Sequence, residues 1–506
     1  MTSEKSIIII GAGMAGLSAG CYGRMNGYRV QIFDQDTRPG GLCTSWERRG
    51  YTIHGNMAFL AGSGPGVAYH RIWQELGVFP EILVVDCEYM LIIEGRDGRT
   101  FYFHTDLERL ERHMREVAPE DGRLIDKFIR DIRVFARYDL PIDKAPELLG
   151  LGDKLKLLAS RFPLIRAMRK WQKIPLRDFA RRFQNPVLRE ALLEFRLLFS
   201  DDLPAVFLLL SAAWNHKKAF GYPAGGGLKF ARAIERRFLG LGGEVHYRSR
   251  VVQILVKDGR AFGVRLEDGR EFFADDIISA ADGRSTIFEW LGGKYIDAKI
   301  RTVYETWTAS QPAMIVALGV GRTFPDVPWS AAGIIYPLDQ PVTIGGKEFC
   351  TLRPMICNYD PALAPPGKTL LRLVFPADYD YWDALRGAPD DYRAEKEKIT
   401  ETIINLLDKR YPGLASQVEM TDVATPLTFE RYTGNWRAAF MGWAMTSKTL
   451  SQSIPRTLPG LRNFYMAGQW VETSAGIPGS ALSGRNAIQL LCRRDRKRFI
   501  TSLALP

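Results

Sequence analysis

Six cysteines and six histidines in 506 residues leave little room for a disulfide framework or a zinc centre. Cys21, Cys43, Cys87, Cys350, Cys357 and Cys492 form no CxxC pair and have no histidine at metal spacing. They read as reduced thiols of a cytoplasmic protein, and no metal is expected. Acidic residues are in deficit, 57 against 68 Lys and Arg, for a net charge of +11. Without a recognisable nucleic-acid module, that excess points first to an anionic membrane surface. Long hydrophobic runs are also missing. The most apolar later stretch, LPAVFLLLSAAW (203–214), is too short to span a bilayer and contains a proline. The N-terminal apolar run leads straight into glycines and has no cleavage site, so it is not a secretory signal. HExxH, Walker loops, internal repeats and low-complexity linkers are absent as well.

What is present begins with IIIIGAGMAGLSAG (7–20), whose order is strand, tight turn, helix. Gly11 permits the turn, Gly13 lets the backbone approach a pyrophosphate, and Gly16 allows close helix–strand packing, with Ala15 on the same turn. The helix N-terminus offers free N–H groups and a positive dipole to phosphates. A second strand, YRVQIFD (28–34), ends on Asp34, where a carboxylate can bond both ribose hydroxyls of an adenosine. Together these elements specify an ADP-containing cofactor and leave NAD and FAD open.

A second glycine pair, Gly40–Gly41, follows the acid closely, and NFYMAGQWVETSAGIPGSALSGRNAIQLL (463–491) reads as strand, glycine loop and helix. Both resemble motifs of the FAD-dependent amine oxidase superfamily, and TPLTFERYTGNWRAAFMG (425–442) resembles its phytoene desaturase, carotenoid isomerase and retinol saturase branch. Two middle segments fit too: the Gly-rich turn, helix and strand of 222–254, and DDIISAADGRST (275–286). The resemblance implies a Rossmann-like α/β fold of the glutathione reductase type and FAD as cofactor. It implies binding by Leu42, Met57, Ala58, Val252, Gly468, Gly476, Ile477 and Pro478, beside the glycines and Asp34 already named. The chain departs from the desaturase pattern at Leu42, His54 and Glu472, where many members carry Arg, Asp and His. These departures lie near the flavin, so they bear on the reaction more than on the cofactor.

The flavin motifs occupy 1–75, 220–300 and 455–495, so the FAD-binding domain is expected to be discontinuous. The insertions 76–219 and 301–454 would form an α+β substrate domain, the first rich in helical signals and the second in strand-like runs such as AMIVALGV. An antiparallel sheet capped by helices is expected there. Within the first insertion, 151–173 mixes Leu155, Leu158, Phe162, Ile165 and Trp171 with seven Lys and Arg residues. Such a segment suits an interfacial membrane helix, with Pro163 kinking it.

Catalytic candidates are sparse. His54 stands beside the stretch 55–58 that the resemblance places against the flavin, and could relay a proton or fill the family's Asp position structurally. Glu472 could act as a general acid or base or cap the following turn. Arg431 and Tyr432 are cavity or surface residues, and Trp214, Trp307, Trp382 and Trp443 are expected in the core or on a tunnel wall. The expected activity is desaturation of a long isoprenoid or other lipid, by hydride transfer to flavin, with quinone or oxygen as acceptor. Redox-neutral cis–trans isomerisation and double-bond saturation are the alternatives within that class. A flavin amine oxidase, with Trp436 or Trp470 flanking the amine, and a non-catalytic flavin-bound lipid carrier stand outside it. Peripheral association with a membrane completes the expectation.

Overall fold

The computed structural model describes residues 4–501 except 56, 58, 196–199, 331, 451, 453 and 473–475. Ser6–Ile10 forms strand β1, and its isoleucines are buried on both faces. A strand buried on both faces belongs in the middle of a helix-covered parallel sheet, and each such isoleucine contributes roughly 1.5–3 kcal/mol relative to exposure. The helix α1 (Met14–Met25) returns the chain to β2 (Arg29–Phe33), which pairs in parallel with β1. Long excursions then bring in α2 (Gly226–Gly240), β3 (Glu244–His246), β4 (Asp276–Ser279), β5 (Phe464–Met466) and α3 (Gly476–Arg494). The sheet order is β5-β4-β1-β2-β3, all parallel. A mixed α/β fold around a parallel dinucleotide-type sheet was expected, and that is the architecture found.

Helices α1 and α3 cross closely because their contact is made of small residues. A Cβ on Gly484 would stand 2.2 Å from the Ala15 carbonyl oxygen, so only glycine admits this approach. The last helix is thereby locked against the first, and both chain ends serve one sheet.

Among the described residues the remaining strands form two four-stranded sheets, a three-stranded antiparallel sheet (Val251–Lys257, Arg260–Leu266, Glu271–Phe273) and two short pairs. Of the four-stranded sheets, one is antiparallel and runs Met355–Ile356, Thr369–Pro376, Ala313–Val320, Val418–Ala424. The other runs Lys347–Leu352, Ile334–Ile344, Tyr89–Glu94, Thr100–His104 and contains one parallel pairing, between Ile334–Ile335 and Ile92–Ile93. The hairpin 89–104 therefore interrupts a stretch that reads as helical, and strands distant in sequence share a sheet. Beyond it, helices Leu107–Val117, Gly122–Arg137 and Val206–His216 bury a common apolar core. The apolar run 203–214 lies in that core; among the described residues no helix is long and apolar enough to cross a membrane. Trp307, Trp382 and Trp443 are buried as expected, and Trp214 is partly so.

Helix Leu151–Trp171 is unusual in packing only its second half. Leu164, Ala167 and Trp171 are buried, whereas Leu151, Leu155, Leu158 and Phe162 are 81%, 66%, 43% and 56% exposed. Their spacing of four, three and four residues places them on one stripe. The non-helical residue is Arg161, two places before Pro163, because the proline ring disturbs the preceding turn. Trp171 is a core residue, its indole N–H bonded to Asp131 at 2.9 Å, and not part of the exposed stripe.

Candidate cofactor and active site

The turn after β1 is built as its glycines require. Gly11 adopts φ +100°, and a Cβ on Gly16 would lie 1.8 Å from the Gly11 carbonyl oxygen. A Cβ on Gly13 would meet nothing within 4 Å. The first two positions in this comparison are steric necessities of the turn; the third opens into a cleft. Helix α1 begins at Gly13 with no side-chain cap and no acid in its first turn, leaving its N-terminal N–H groups and positive dipole to that cleft.

Asp34 lies on the cleft wall at the end of β2. Its carboxylate accepts the Ala12 N–H at 2.6 Å and the Asp36 N–H at 2.7 Å, which ties the acid to the glycine turn. Burial pushes this carboxyl above its ordinary range, and the two N–H donors pull against that rise. The second glycine pair sits directly beside the first turn. Gly40 donates to the Ala12 carbonyl at 2.9 Å and bridges Gly13, and a Cβ on it would stand 2.2 Å from the Cys43 carbonyl oxygen.

The cleft runs from this double turn past Val251, Asp282 and Tyr432–Asn435 to Gly468, Gly476 and Ile477. It holds about 1260 Å³ of empty space, open solvent at its mouth included. Asp282 accepts N–H bonds from Ser285 at 2.8 Å and Trp436 at 3.0 Å, joining the cleft floor to the 433–436 loop. That loop also touches the opposite side, where Gln35 donates to the Tyr432 carbonyl at 3.2 Å.

Eleven of the residues assigned to the cofactor in the sequence line this cleft: Gly11, Gly13, Ala15, Asp34, Gly40, Gly41, Leu42, Gly468, Gly476 and Ile477 do so directly, and Gly16 shapes it from behind. Val252 does not. It stands at a register shift between Val251 and Gln253, 37% exposed, and Val251 is the neighbour on the cleft wall. Met57 is fully buried in the core beneath α1, and Pro478 lies off the wall inside α3. Ala58 lies outside the described residues.

His54 and Glu472 also stand off the cleft wall. His54 is fully buried at the end of the hairpin strand Tyr51–His54, its Nε2 3.9 Å from Cys357 Sγ and its ring 5.6 Å from that of Tyr222. Burial, and then the Arg372 guanidinium, hold its imidazole well below the usual range against a smaller opposing pull from the Met57 backbone. It is therefore neutral at physiological pH. Glu472 accepts from Arg456 at 2.9 Å, and the same nearly buried arginine also bonds Glu147. Tyr432 borders the cofactor cleft, with Arg431 stacked on its ring at 4.9 Å.

A sequence profile of the flavin-containing amine oxidoreductases matches residues 14–492. The chain belongs to that family. It is 25% identical to the lycopene-forming phytoene desaturase of Pseudescherichia vulneris over 96% of this chain and 99% of the relative. It is 24% identical to the chloroplastic prolycopene isomerase of Arabidopsis thaliana, over 94% of this chain and 81% of that one. An oxidoreductase from Methanosarcina mazei shares the fold, with a TM-score of 0.61, 18% identity and coverage of 96% and 100%.

FAD is the cofactor of this flavin oxidoreductase, and the residues fit it. The open position beside Gly13 and the uncapped start of α1 suit a diphosphate, and Asp34 suits a ribose. Trp470, 1% exposed, also borders the cleft, and its indole N–H finds no acceptor among the described residues. Several wall residues carried no individual signal in the sequence. Asp282 and Thr433–Asn435 lie inside segments that stand out in the sequence only as whole motifs, and Trp470 reads there only as an aromatic flank. Trp436 and Trp470 have ring centroids 6.2 Å apart with planes tilted by 41°, so they do not face each other as a pair.

Proposed function

We propose that this flavoenzyme oxidises a long isoprenoid chain of the carotenoid type, drawn from a membrane, with a quinone or oxygen restoring the cofactor. The observation that carries the reading is likeness along the whole chain, not in the cofactor motifs alone, to a protein named for phytoene desaturation. Bound FAD supplies a two-electron hydride acceptor. The chain's own residues bind and orient it: the 11–16 turn and Gly40–Gly41 at the diphosphate, Asp34 at the ribose, Val251 at the adenine end, and Gly468, Gly476 and Ile477 toward the flavin. Of the stretch 55–58 that the family resemblance sets against the flavin, 56 and 58 lie outside the described residues, and Gly55 and Met57 are buried off the cleft wall. The 432–435 loop lines the cleft on the side facing Gln35. His54 and Glu472 are read as positioning residues, because one is a neutral core histidine and the other is committed to Arg456.

The parts 1–75, 220–300 and 455–495 would constitute the cofactor domain, and 76–219 with 301–454 the substrate domain. The exposed stripe Leu151, Leu155, Leu158 and Phe162, flanked by Lys154, Lys156 and Arg161, supports docking on an anionic lipid surface. Isomerisation is the second reading, favoured by the equally extensive likeness to prolycopene isomerases. Anaerobic mixing of holoprotein with polyene substrates in vesicles separates the two. Desaturation bleaches the flavin band near about 450 nm in proportion to product. Isomerisation needs prior reduction and leaves the band unchanged during turnover. Bleaching by simple amines, with peroxide formed in air, overturns both.

A further inference from the structure

Strand β5 ends at Met466, and the chain then turns sharply. Gly468 adopts φ +96°, and its carbonyl accepts the N–H groups of Val471 at 3.2 Å and Glu472 at 3.1 Å. This turn carries Gly468, Gln469 and Trp470 onto the cleft wall, and Gly476, Ile477 and Ser480 follow on the same wall at the start of α3. Glu472 therefore stands between two groups of wall residues without lining the cleft itself. Arg456 holds the turn at both ends. Its carbonyl accepts the Met466 N–H at 2.7 Å, and its guanidinium donates to Glu472 at 2.9 Å. The same guanidinium, on a side chain only 5% exposed, also bonds Glu147 in the short turn Pro146–Leu148. That turn is strapped to α3, since Gln489 accepts the neighbouring Ala145 N–H at 2.7 Å.

A guanidinium between two carboxylates is held by geometry as well as by charge, because its planar fork presents separate N–H groups to each. The middle of the turn is fastened independently: Ser483 Oγ accepts the Gly468 N–H at 2.9 Å, and the Trp443 indole donates to the Trp470 carbonyl at 3.1 Å. What Arg456 adds is the Glu472 end, from which the chain leads on to Gly476. A wall ordered in advance spares its ligand the entropy of ordering it. We propose that Arg456 is a positioning residue for cofactor binding: its charge, held between Glu147 and Glu472, sets the 468–472 turn so that Gly468 and the start of α3 meet FAD already in place. The inference rests on the reading of the cleft as the FAD site. Glu147, just before the exposed stripe that begins at Leu151, thereby takes part in holding the cofactor wall.

The test is the dissociation constant of FAD from the apoprotein, measured by the change in flavin fluorescence at a temperature where melting curves show every variant folded. Arg456→Met is expected to raise it about tenfold, and Glu472→Leu, which removes the same bond from its other side, by about as much. Arg456→Lys keeps a cation between the carboxylates and is expected to stay within about threefold of wild type. If the arginine acts through Glu472, the double variant Arg456→Met, Glu472→Leu binds within about twofold of the weaker single variant. An unchanged constant in Arg456→Met or Glu472→Leu, a loss in Arg456→Lys equal to that in Arg456→Met, or fully additive losses in the double variant overturns the positioning role. Glu472→Leu decides the matter should Arg456→Met not fold. Failure of the cleft reading shows separately: Gly13→Val would then bind FAD as wild type does.

Discussion

Glycines 13 and 16 lie three residues apart and do opposite jobs. At Gly13 an added side chain meets only the cleft, so Gly13→Val is expected to fold normally and to lose FAD affinity by at least roughly tenfold, read by flavin content and apoprotein melting. At Gly16 even a methyl group meets the Gly11 carbonyl, so Gly16→Ala is expected to destabilise the fold itself, by about 1–3 kcal/mol in denaturant titration. His54 makes a different prediction. Because burial and Arg372 depress its pKa, the unfolded chain takes up a proton near pH 6.5 that the folded chain refuses. Stability is full above that pH and falls as pH drops below it, with a slope of up to about 1.4 kcal/mol per pH unit from this group. His104, depressed chiefly by burial, acts in the same direction. His54→Gln is expected to flatten the slope in urea titrations between pH 6.5 and 5. A slope equal to wild type would show that His54 is protonated in the fold. The roles of Gly11, Gly13, Gly16 and Asp34 were legible in the sequence because a tight turn imposes them on neighbours along the chain. The bond from Arg372 to the Gly55 carbonyl was not, since tertiary structure alone brings these two residues together.

Among the elements, helix Leu151–Trp171 shows where local pattern reading succeeds and where it stops. The mixture of basic and apolar residues was visible, but it did not tell which apolar residues are covered. Trp171 and Leu164 go into the core made with Gly122–Arg137, and Leu151 to Phe162 remain outside. The same limit applies to the hairpin Tyr89–His104, hidden in a helix-rich stretch because its sheet partner is Ile334–Ile335. The chain just before the helix is strapped to α3: Arg485 donates to the Asp143 carbonyl at 2.9 Å and Gln489 accepts the Ala145 N–H at 2.7 Å. The exposed stripe is thus fixed to α3, and the membrane docking proposed for it would keep one orientation. Replacing Leu155 and Phe162 by Asp removes apolar area and adds repulsion from anionic lipid. Vesicle flotation is expected to fall on the order of tenfold or more, from about 0.8 kcal/mol per buried CH₂ and about 1 kcal/mol per charge. FAD content should be unchanged, because neither side chain reaches the cleft. Equal flotation of variant and wild type would remove the helix from the membrane reading.

At the scale of the whole molecule, the cleft is lined by segments near residues 11, 40, 250, 282, 434, 468 and 477, so no single stretch of chain contains the site. Strands β1, β4 and β5 lie side by side although more than 450 residues separate the first from the last, and α3 closes on α1 through Gly484. A ligand held by all these segments binds only the assembled fold, so its binding free energy adds to the stability of the whole chain. Free FAD at a hundredfold excess over Kd should stabilise the apoprotein by about 2.7 kcal/mol, and tenfold more ligand by about 1.4 kcal/mol beyond that. The melting temperature should therefore rise with the logarithm of FAD concentration in a single transition. The 432–435 loop, which reaches from beyond the antiparallel sheet to Asp282 and Gln35, should become resistant to proteolysis over the same concentration range. Two separate melting transitions, with FAD raising only one, would mean that the cofactor region and the sheets around 313–424 fold independently. The shared contacts argue for one transition: Arg372 of the antiparallel sheet bonds the Gly55 carbonyl, and Asp282 of the cofactor region bonds Trp436, so neither part can unfold without exposing a buried polar group of the other.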